Sequence, residues 1–175
     1  MKDLLHKKLS DYLNSLEDPR KEAILAFHRT HQPLIERAHG SSHNHQAWVG
    51  GYKDHLAETF RLAEVMYSQF DTARPLPFTL ASALICLYFH DVEKIWQYTT
   101  GLPEGFDKGH FYMTTLPETY GIHLTNTELN ALEYAHGEVH AHSKKERKMN
   151  ELAALVHAAD NLSARMWHNE GQGLG

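Results

Sequence analysis

The apolar positions of this chain recur three and four residues apart, as along one face of an α-helix, with no convincing alternation of period two. The first apolar stripe ends at Asp18-Pro19, where Asp18 as N-cap and Pro19 at the first helical position predict a second helix. Pro33 is expected to kink or end this second helix. The first stripe consists of Leu5, Leu9, Tyr12, Leu13 and Leu16.

Glycine, serine and proline separate the other helical segments. The segment 39-HGSSHNHQAWVGG-51 predicts a loop, and a third helix is expected from about Tyr52 to Phe70. Two prolines precede Thr79, the expected N-cap of a very hydrophobic helix that ends at Asp91. The rest of the chain predicts a loop from Gly101 to Gly109, short helical pieces over 110–120, a helix capped by Thr125, Asn126 or Thr127, and a last helix from Asn150 to Met166.

These segments predict an all-α fold, a bundle of six or seven helices. We find no repeat and no linker, so residues 1–175 are expected to form a single domain. The motifs described below lie within about 43–166, and the glycine-rich tail at 169–175 is expected to fray.

The composition excludes several classes of protein. Of the 175 residues 42% are hydrophobic, and no window approaches the roughly 18 consecutive apolar residues of a membrane span. The net charge is −5 and the one long basic run is 144-KKERK-148, which argues against duplex nucleic acid as a partner. Cys86, the single cysteine, is expected in the core and agrees with a reducing compartment. We therefore expect a cytoplasmic protein without a membrane partner; a homo-oligomer stays open.

Ligand-type side chains occupy inward positions on three of the predicted helices. His55 lies on the apolar stripe of the third helix, His90 and Asp91 end the most hydrophobic helix, and Asp160 lies on the apolar face of the last. A lone inward histidine is more often a hydrogen-bonded core residue. Here, however, three separate helices each turn inward with ligand-type groups, and the sequence offers no evident cationic partner for the carboxylates. Burying a carboxylate is costly unless it is paired or bound to a metal. Two imidazoles and two carboxylates suit Mn²⁺, Fe²⁺, Co²⁺, Ni²⁺ or Zn²⁺, with Mg²⁺ as a further option.

These four residues, in this order, resemble the H…HD…D signature of the HD-domain metal-dependent phosphohydrolase superfamily. The flanking segments that strengthen the resemblance are 45-HQAWVGGYKDH-55 for the GG-x-x-x-H start of the first ligand helix, 89-FHDVEK-94 for HD-x-x-K, and 157-HAADNLSAR-165 for the final H-x-A-D. The resemblance implies an HD-type helical bundle that binds a metal through His55, His90, Asp91 and Asp160.

Two more histidines resemble the second-metal ligands of the dinuclear branch of that superfamily. His110 and His136 lie between Asp91 and Asp160 in the chain. The whole pattern most resembles the HD domain of 3′→5′ exoribonucleases, with cyclic-dinucleotide phosphodiesterases and diiron oxygenases such as myo-inositol oxygenase more distant. Glu93 departs from that branch, which usually carries glycine there, and the OB domain of the exoribonucleases is absent. His110 as a plain loop histidine is the alternative, so one or two metal ions stay open.

The resemblance implies hydrolysis of a phosphate ester by a metal-activated water, with Asp91 as the central carboxylate. Lys94 is expected to reach a phosphate oxygen, and its alternative is a surface lysine. Proton transfer to the leaving group is assigned to Glu93 or His140. The weaker phosphate-binding candidates are Arg165 and Lys108, and the candidates for stacking on a nucleobase are Trp48 and Tyr52, for which core packing is the alternative.

The expected substrate is a small nucleotide or deoxynucleotide, as a mono- or triphosphate. The alternatives are a 3′→5′ exonuclease or cyclic-nucleotide phosphodiesterase, an HD-type diiron oxygenase that requires both His110 and His136 as ligands, and a binding protein with an inactive site. The acidic charge and the missing OB module favour a free nucleotide over a polymer.

Overall fold

The described part of the chain, residues 7–43, 45–138, 141–143 and 145–166 of the computed structural model, contains helices and no β-strand. The helices are α1 (Leu9–Asn14), α2 (Lys21–Ile35), α3 (Gly51–Ala73), α4 (Leu80–Phe89), α5 (Lys94–Gln97), α6 (Lys108–His110), α7 (Leu116–Tyr120), α8 (Asn126–Glu133) and α9 (Glu151–Met166), and a π-helical turn, Phe111–Thr115, joins α6 to α7. The prediction of an all-α bundle is confirmed. The tail at 169–175 lies outside the described residues.

Two helix starts follow the predicted capping chemistry. The Thr79 hydroxyl accepts a hydrogen bond from the Ser82 N–H at 3.1 Å and so caps α4. Thr125, one of three predicted caps for α8, forms a capping box with Glu128, whose N–H donates to the Thr125 hydroxyl while its carboxylate accepts from the Thr125 N–H. In both helices a side-chain oxygen satisfies an N–H that the helix itself leaves without a partner.

The predicted cap of α2 is wrong. The residue before α2 is Arg20, and the helix begins at Lys21 rather than at Pro19. The Asp18 carboxylate instead accepts hydrogen bonds from the backbone N–H and the guanidinium of Arg20. Because its oxygens are engaged there, Asp18 does not cap the helix. Pro33 lies inside the last turn of α2, which ends two residues later.

α4 is buried on nearly all sides, as expected for a helix without a polar face. It contacts α3, α8 and α9, and α3 also packs along α9. Cys86 lies in this core, fully buried, as predicted. The helices α3, α4 and α9 therefore meet in the centre of the bundle.

Two buried tyrosines hold the carboxyl end of α4. The Tyr112 hydroxyl donates to the Phe89 carbonyl at 2.7 Å, and the Tyr52 hydroxyl donates to the Tyr88 carbonyl at 3.4 Å. The last carbonyls of a helix have no partner within the helix. These two hydroxyls therefore fix the point at which α4 delivers His90.

Within the described residues, no helix combines the length and the apolar character needed to cross a membrane.

Candidate metal centre

Four ligand-type side chains converge from the start of α3, the end of α4 and the middle of α9. They are His55, His90, Asp91 and Asp160, and one ligand atom from each lies within 4.8 Å of all the others. The His55 Nε2 is 3.4 Å from the His90 Nε2 and 3.2 Å from the Asp160 Oδ1. Both imidazoles are fully buried and Asp91 is 3% exposed. The predicted set of four ligands is thus brought together.

Each of these side chains lies in a helix or directly at the end of one. His55 lies in the second turn of α3, and Asp160 lies in the middle of α9. His90 is the C-cap of α4, and Asp91 follows it in the turn that leads to α5. The two tyrosines that bond to the last carbonyls of α4 therefore hold the backbone immediately before His90 and Asp91.

The two imidazoles present the same nitrogen to the cluster. The His90 Nδ1 is 2.7 Å from the Leu87 carbonyl, which can only accept, so this nitrogen carries the hydrogen. The His55 Nδ1 is 3.1 Å from the Ser163 hydroxyl, on the side away from the cluster. Both Nε2 atoms therefore point at the carboxylates and at each other.

The carboxylates have cationic partners that the sequence did not reveal. Lys94 Nζ is 2.5 Å from the Asp91 Oδ2, so the expectation that no cation pairs with these carboxylates is wrong for Asp91. The ring of His136 bridges the two carboxylates, with Nε2 3.1 Å from the Asp91 Oδ1 and Nδ1 3.1 Å from the Asp160 Oδ2. The turn between α4 and α5 brings Lys94 to Asp91, and its contact with a phosphate oxygen stays a prediction.

The charges of the cluster move the pKa values of both imidazoles and carboxylates. Burial lowers the pKa of His90, but the Asp91 and Asp160 carboxylates together outweigh burial, and the pKa rises to about 10. The hydrogen bonds of His136 to Asp160 and Asp91 raise its pKa to about 9. The pKa of His55 is lowered, mainly by burial.

The carboxylates shift in the opposite direction. Burial by itself raises the pKa of Asp91, but the neighbouring His90 and His136 outweigh it and hold the pKa well below its ordinary value. The pKa of Asp160 is likewise lowered, because the hydrogen bonds from His136 and His90 and the charge of His90 act against burial. Without a metal ion the cluster at neutral pH therefore combines ionised carboxylates with protonated His90 and His136 and a neutral His55.

The two predicted second-metal ligands are in different environments. His136 contacts both carboxylates, whereas His110 lies exposed in α6, just before the π-helical turn. Among the described contacts, none links the His110 imidazole to the cluster. The geometry therefore supports His136 as a site residue, and the ligand role of His110 stays a prediction. The oxygenase alternative required both histidines as ligands, so it likewise lacks a described contact between His110 and the cluster.

Two residues that were assigned separate roles are paired with each other. Lys108 Nζ donates to the Glu93 Oε1 at 3.0 Å and to the His90 carbonyl at 2.6 Å. The other carboxylate oxygen of Glu93 is buried without a hydrogen-bond partner among the described residues. Lys108 thus supports the backbone of a ligand residue, and its expected contact with phosphate is not supported by this geometry.

The predicted stacking and peripheral residues also separate. Tyr52 is fully buried and bonded to the α4 backbone, so it cannot stack on a base, and the core-packing alternative holds. Trp48 is half-buried, and its indole N–H donates to Asp54 at 2.9 Å. Arg165 is exposed in the last turn of α9. His140 lies outside the described residues.

Sequence reasoning missed several side chains next to the cluster. The His45 ring lies 5.5 Å from the His55 ring, and burial is the main cause that lowers the pKa of His45 to about 4. Glu58 and Ser163 lie behind His55. The available signal was helical spacing, because Glu58 follows His55 by three positions and Ser163 follows Asp160 by three, which places polar side chains on inward faces.

The fold and the site together define an all-α protein with a buried His/Asp cluster that could hold a metal ion. No model of a known protein family, no curated protein and no solved structure matches this chain.

Proposed function

We propose that this protein is a metal-dependent phosphohydrolase of the HD-domain type that acts on a small nucleotide or deoxynucleotide. One observation carries the proposal. The Nε2 atoms of His55 and His90 lie 3.4 Å apart and face the carboxylates of Asp91 and Asp160, while their Nδ1 atoms are engaged elsewhere. A metal ion held by these four side chains would take the place of the proton that His90 carries without it.

The donor set suits a transition metal. Two imidazole nitrogens and two carboxylate oxygens are typical ligands of Mn²⁺, Fe²⁺, Co²⁺, Ni²⁺ and Zn²⁺. Mg²⁺ prefers oxygen ligands and retains several waters, so it suits a buried site with two imidazoles less well. The order of the four ligands in the chain, which resembles the H…HD…D signature, supports the same conclusion.

A divalent cation in such a site supplies Lewis-acid chemistry, since it acidifies a water molecule and polarises a phosphoryl oxygen. The chain itself supplies charge and orientation. Lys94, next to Asp91 and 12% exposed, provides a fixed positive charge at the edge of the cluster for a phosphate oxygen. His136, with its pKa raised to about 9, holds a proton beside both carboxylates, where a leaving oxygen would need one.

A free nucleotide fits the charge of the chain better than a polymer. The net charge is −5, and a strand of nucleic acid is normally bound by many lysines and arginines along its phosphates. A mononucleotide needs the cation, one fixed charge such as Lys94, and a partly exposed aromatic surface such as Trp48.

The proposal is tested by assaying the purified protein against nucleotides with Mn²⁺, Co²⁺, Ni²⁺ or Mg²⁺, measuring phosphate and pyrophosphate separately. Asp160→Asn is the site variant, and Glu104→Gln, at an exposed loop position, is the matched control. We expect metal-dependent release in the unmodified protein and the control but not in Asp160→Asn. Metal-independent release, or full activity in Asp160→Asn, would contradict the proposal.

A second comparison separates nucleotide from polymer. The kcat/KM for a short single-stranded RNA or DNA is measured beside that for the best mononucleotide, at about 50 and 200 mM salt. A polymer neutralised at six or more phosphates loses about 10³-fold in affinity over this range, whereas a mononucleotide loses little. A higher kcat/KM on the oligonucleotide would establish the exonuclease alternative.

A further inference from the structure

A second layer of buried polar groups lies behind His55, on the side away from the metal cluster. Ser163 is fully buried, Gln46 is 4% exposed and Glu58 is 9% exposed. The Ser163 hydroxyl donates to the Glu58 Oε2 at 2.7 Å and lies 3.1 Å from the His55 Nδ1. Buried polar groups are costly unless each is hydrogen bonded. These contacts therefore define a connected network from Gln46 through Glu58 and Ser163 to His55.

With Glu58 ionised, the hydrogens of this network leave one assignment for His55. A serine hydroxyl has a single hydrogen, and Ser163 gives it to Glu58, whose oxygen Oε2 acts as acceptor. Ser163 must then accept from the His55 Nδ1, which accordingly carries the ring hydrogen. The Nε2 of His55 is left with its lone pair directed at the cluster. This is the form of the imidazole that binds a metal ion.

We propose that Ser163 and Glu58 are positioning residues that hold His55 in its metal-binding tautomer. This inference rests on the proposed function for its consequence, since the tautomer matters because a cation binds. The alternative tautomer is within reach, because the Asp160 Oδ1 lies 3.2 Å from the His55 Nε2 and can accept a hydrogen bond from it. Without the hydrogen bond from the His55 Nδ1 to Ser163, the Asp160 carboxylate would favour a hydrogen on Nε2, which would then have no lone pair for a metal ion.

The loop before α3 adds Gln46 to the network. The Gln46 amide donates to the Glu58 Oε2 at 2.5 Å and to the Ser163 hydroxyl at 3.4 Å. Gln46 has a φ of +43°, in the left-handed region, and its carbonyl occupies the space where a Cβ on Gly51 would lie. Gly40 donates its N–H to the same carbonyl. The loop therefore accepts an unfavourable backbone conformation that places the amide on the carboxylate.

The direct test is the tautomer of His55 in the metal-free protein, measured by long-range ¹H–¹⁵N NMR of the imidazole. The unmodified protein is expected to carry the hydrogen on Nδ1. In Ser163→Ala it should move to Nε2, because Asp160 becomes the remaining acceptor. Glu58→Leu leaves Ser163 in place but frees its hydroxyl to donate to Nδ1, so the same shift to Nε2 is expected. Ser68→Ala, at an exposed position of α3, is the control and should resemble the unmodified protein.

The second readout is Mn²⁺ affinity by isothermal titration calorimetry. Loss of an outer hydrogen-bond partner of a metal ligand typically weakens metal binding by about 10- to 100-fold, and we expect this range for Ser163→Ala and Glu58→Leu. Ser163→Thr retains the hydroxyl and should recover most of the affinity. Thermal unfolding of each variant checks that the fold is retained.

The outcomes separate this inference from the proposed function. If the hydrogen stays on the His55 Nδ1 in folded Ser163→Ala or Glu58→Leu, the proposed role of Ser163 and Glu58 is overturned. An unchanged Mn²⁺ affinity in both variants also overturns it. If the unmodified protein binds no divalent cation, the proposed function fails, while the metal-free NMR comparison still supports or overturns the role of Ser163 and Glu58.

Discussion

Two buried clusters of charge in this protein contain similar groups and differ in whether their hydrogen bonds are complete. One joins Arg20 to Asp18 and Glu128, and the other is the cluster around Asp91 and Asp160. In the first, the guanidinium donates to Asp18 through Nε and Nη2, to Glu128 through Nη1 and Nη2, and to the His123 carbonyl through Nη1. All five of its N–H donors are used.

The second cluster is incomplete by the same accounting. The imidazoles of His55 and His90 already use their Nδ1 atoms elsewhere, and their Nε2 atoms face carboxylate oxygens and each other. Lys94 and the protonated His136 balance the charges of the two carboxylates, and the protonated His90 adds a further positive charge. In the tautomer with the hydrogen on the His55 Nδ1, the His55 Nε2 and the Asp160 Oδ1 are two acceptors 3.2 Å apart, an arrangement better suited to holding a cation than to holding a fold together. The Arg20 cluster, in contrast, connects the start of α2 to α8 and needs nothing further.

The largest expected effect is on the cluster around Asp91 and Asp160. Asp91→Ala should abolish hydrolysis and metal binding while the far-ultraviolet circular dichroism stays helical, because this carboxylate serves the cation rather than the core. Elemental analysis, activity and circular dichroism are measured on the same preparation. Retained metal together with full activity would show that Asp91 is misassigned.

A change in the Arg20 cluster should instead lower the stability of the fold and leave metal binding intact. Glu128→Ala leaves donors of a largely buried arginine without an acceptor, and we expect it to destabilise the fold by about 3 kcal/mol in urea denaturation. The folded fraction should bind Mn²⁺ normally. Glu151→Ala, which breaks an exposed pair with Arg147, is the control and should cost less than about 0.5 kcal/mol. Similar losses in the two variants would contradict the structural role of the Arg20 cluster.

The next effect is the dependence of metal affinity on pH. His90 and His136, with pKa values raised to about 10 and about 9, are protonated at pH 7 in the metal-free protein. A metal ligand must be deprotonated, so binding releases a proton and affinity rises with pH, about tenfold per unit for each proton released. Calorimetry between pH 6 and 8, in buffers of different ionisation enthalpy, counts these protons. An affinity independent of pH would show that His90 is not a ligand.

The smallest expected effect is that of His110. Because a site of four protein ligands holds one ion, we expect about one equivalent of metal in the unmodified protein and in His110→Ala. Elemental analysis of protein purified without chelator measures both. Two equivalents that fall to one in His110→Ala would instead establish the dinuclear arrangement and draw His110 into the site.

The sequence by itself determined the helices and the four candidate ligands. Helical spacing is a local property, so the inward positions of His55 and Asp160 could be predicted from the apolar residues around them. Thr79 and Thr125 were found for the same reason, since a cap acts on a backbone N–H three residues away. The predicted cap of α2 was wrong because of a distant residue. Asp18 binds Arg20, which also binds Glu128 in α8, instead of capping α2.

Only the tertiary structure decided how these groups are paired. His55 and Ser163 are 108 positions apart, as are Arg20 and Glu128, and nothing in either local sequence specifies the other. The burial of Tyr52, the contact of Lys94 with Asp91 and the bridging position of His136 likewise follow from how α4 ends against its neighbours. Hydrogen bonds are short and directional, so the tautomer of an imidazole is set by the atom that packing brings to within about 3 Å of each nitrogen.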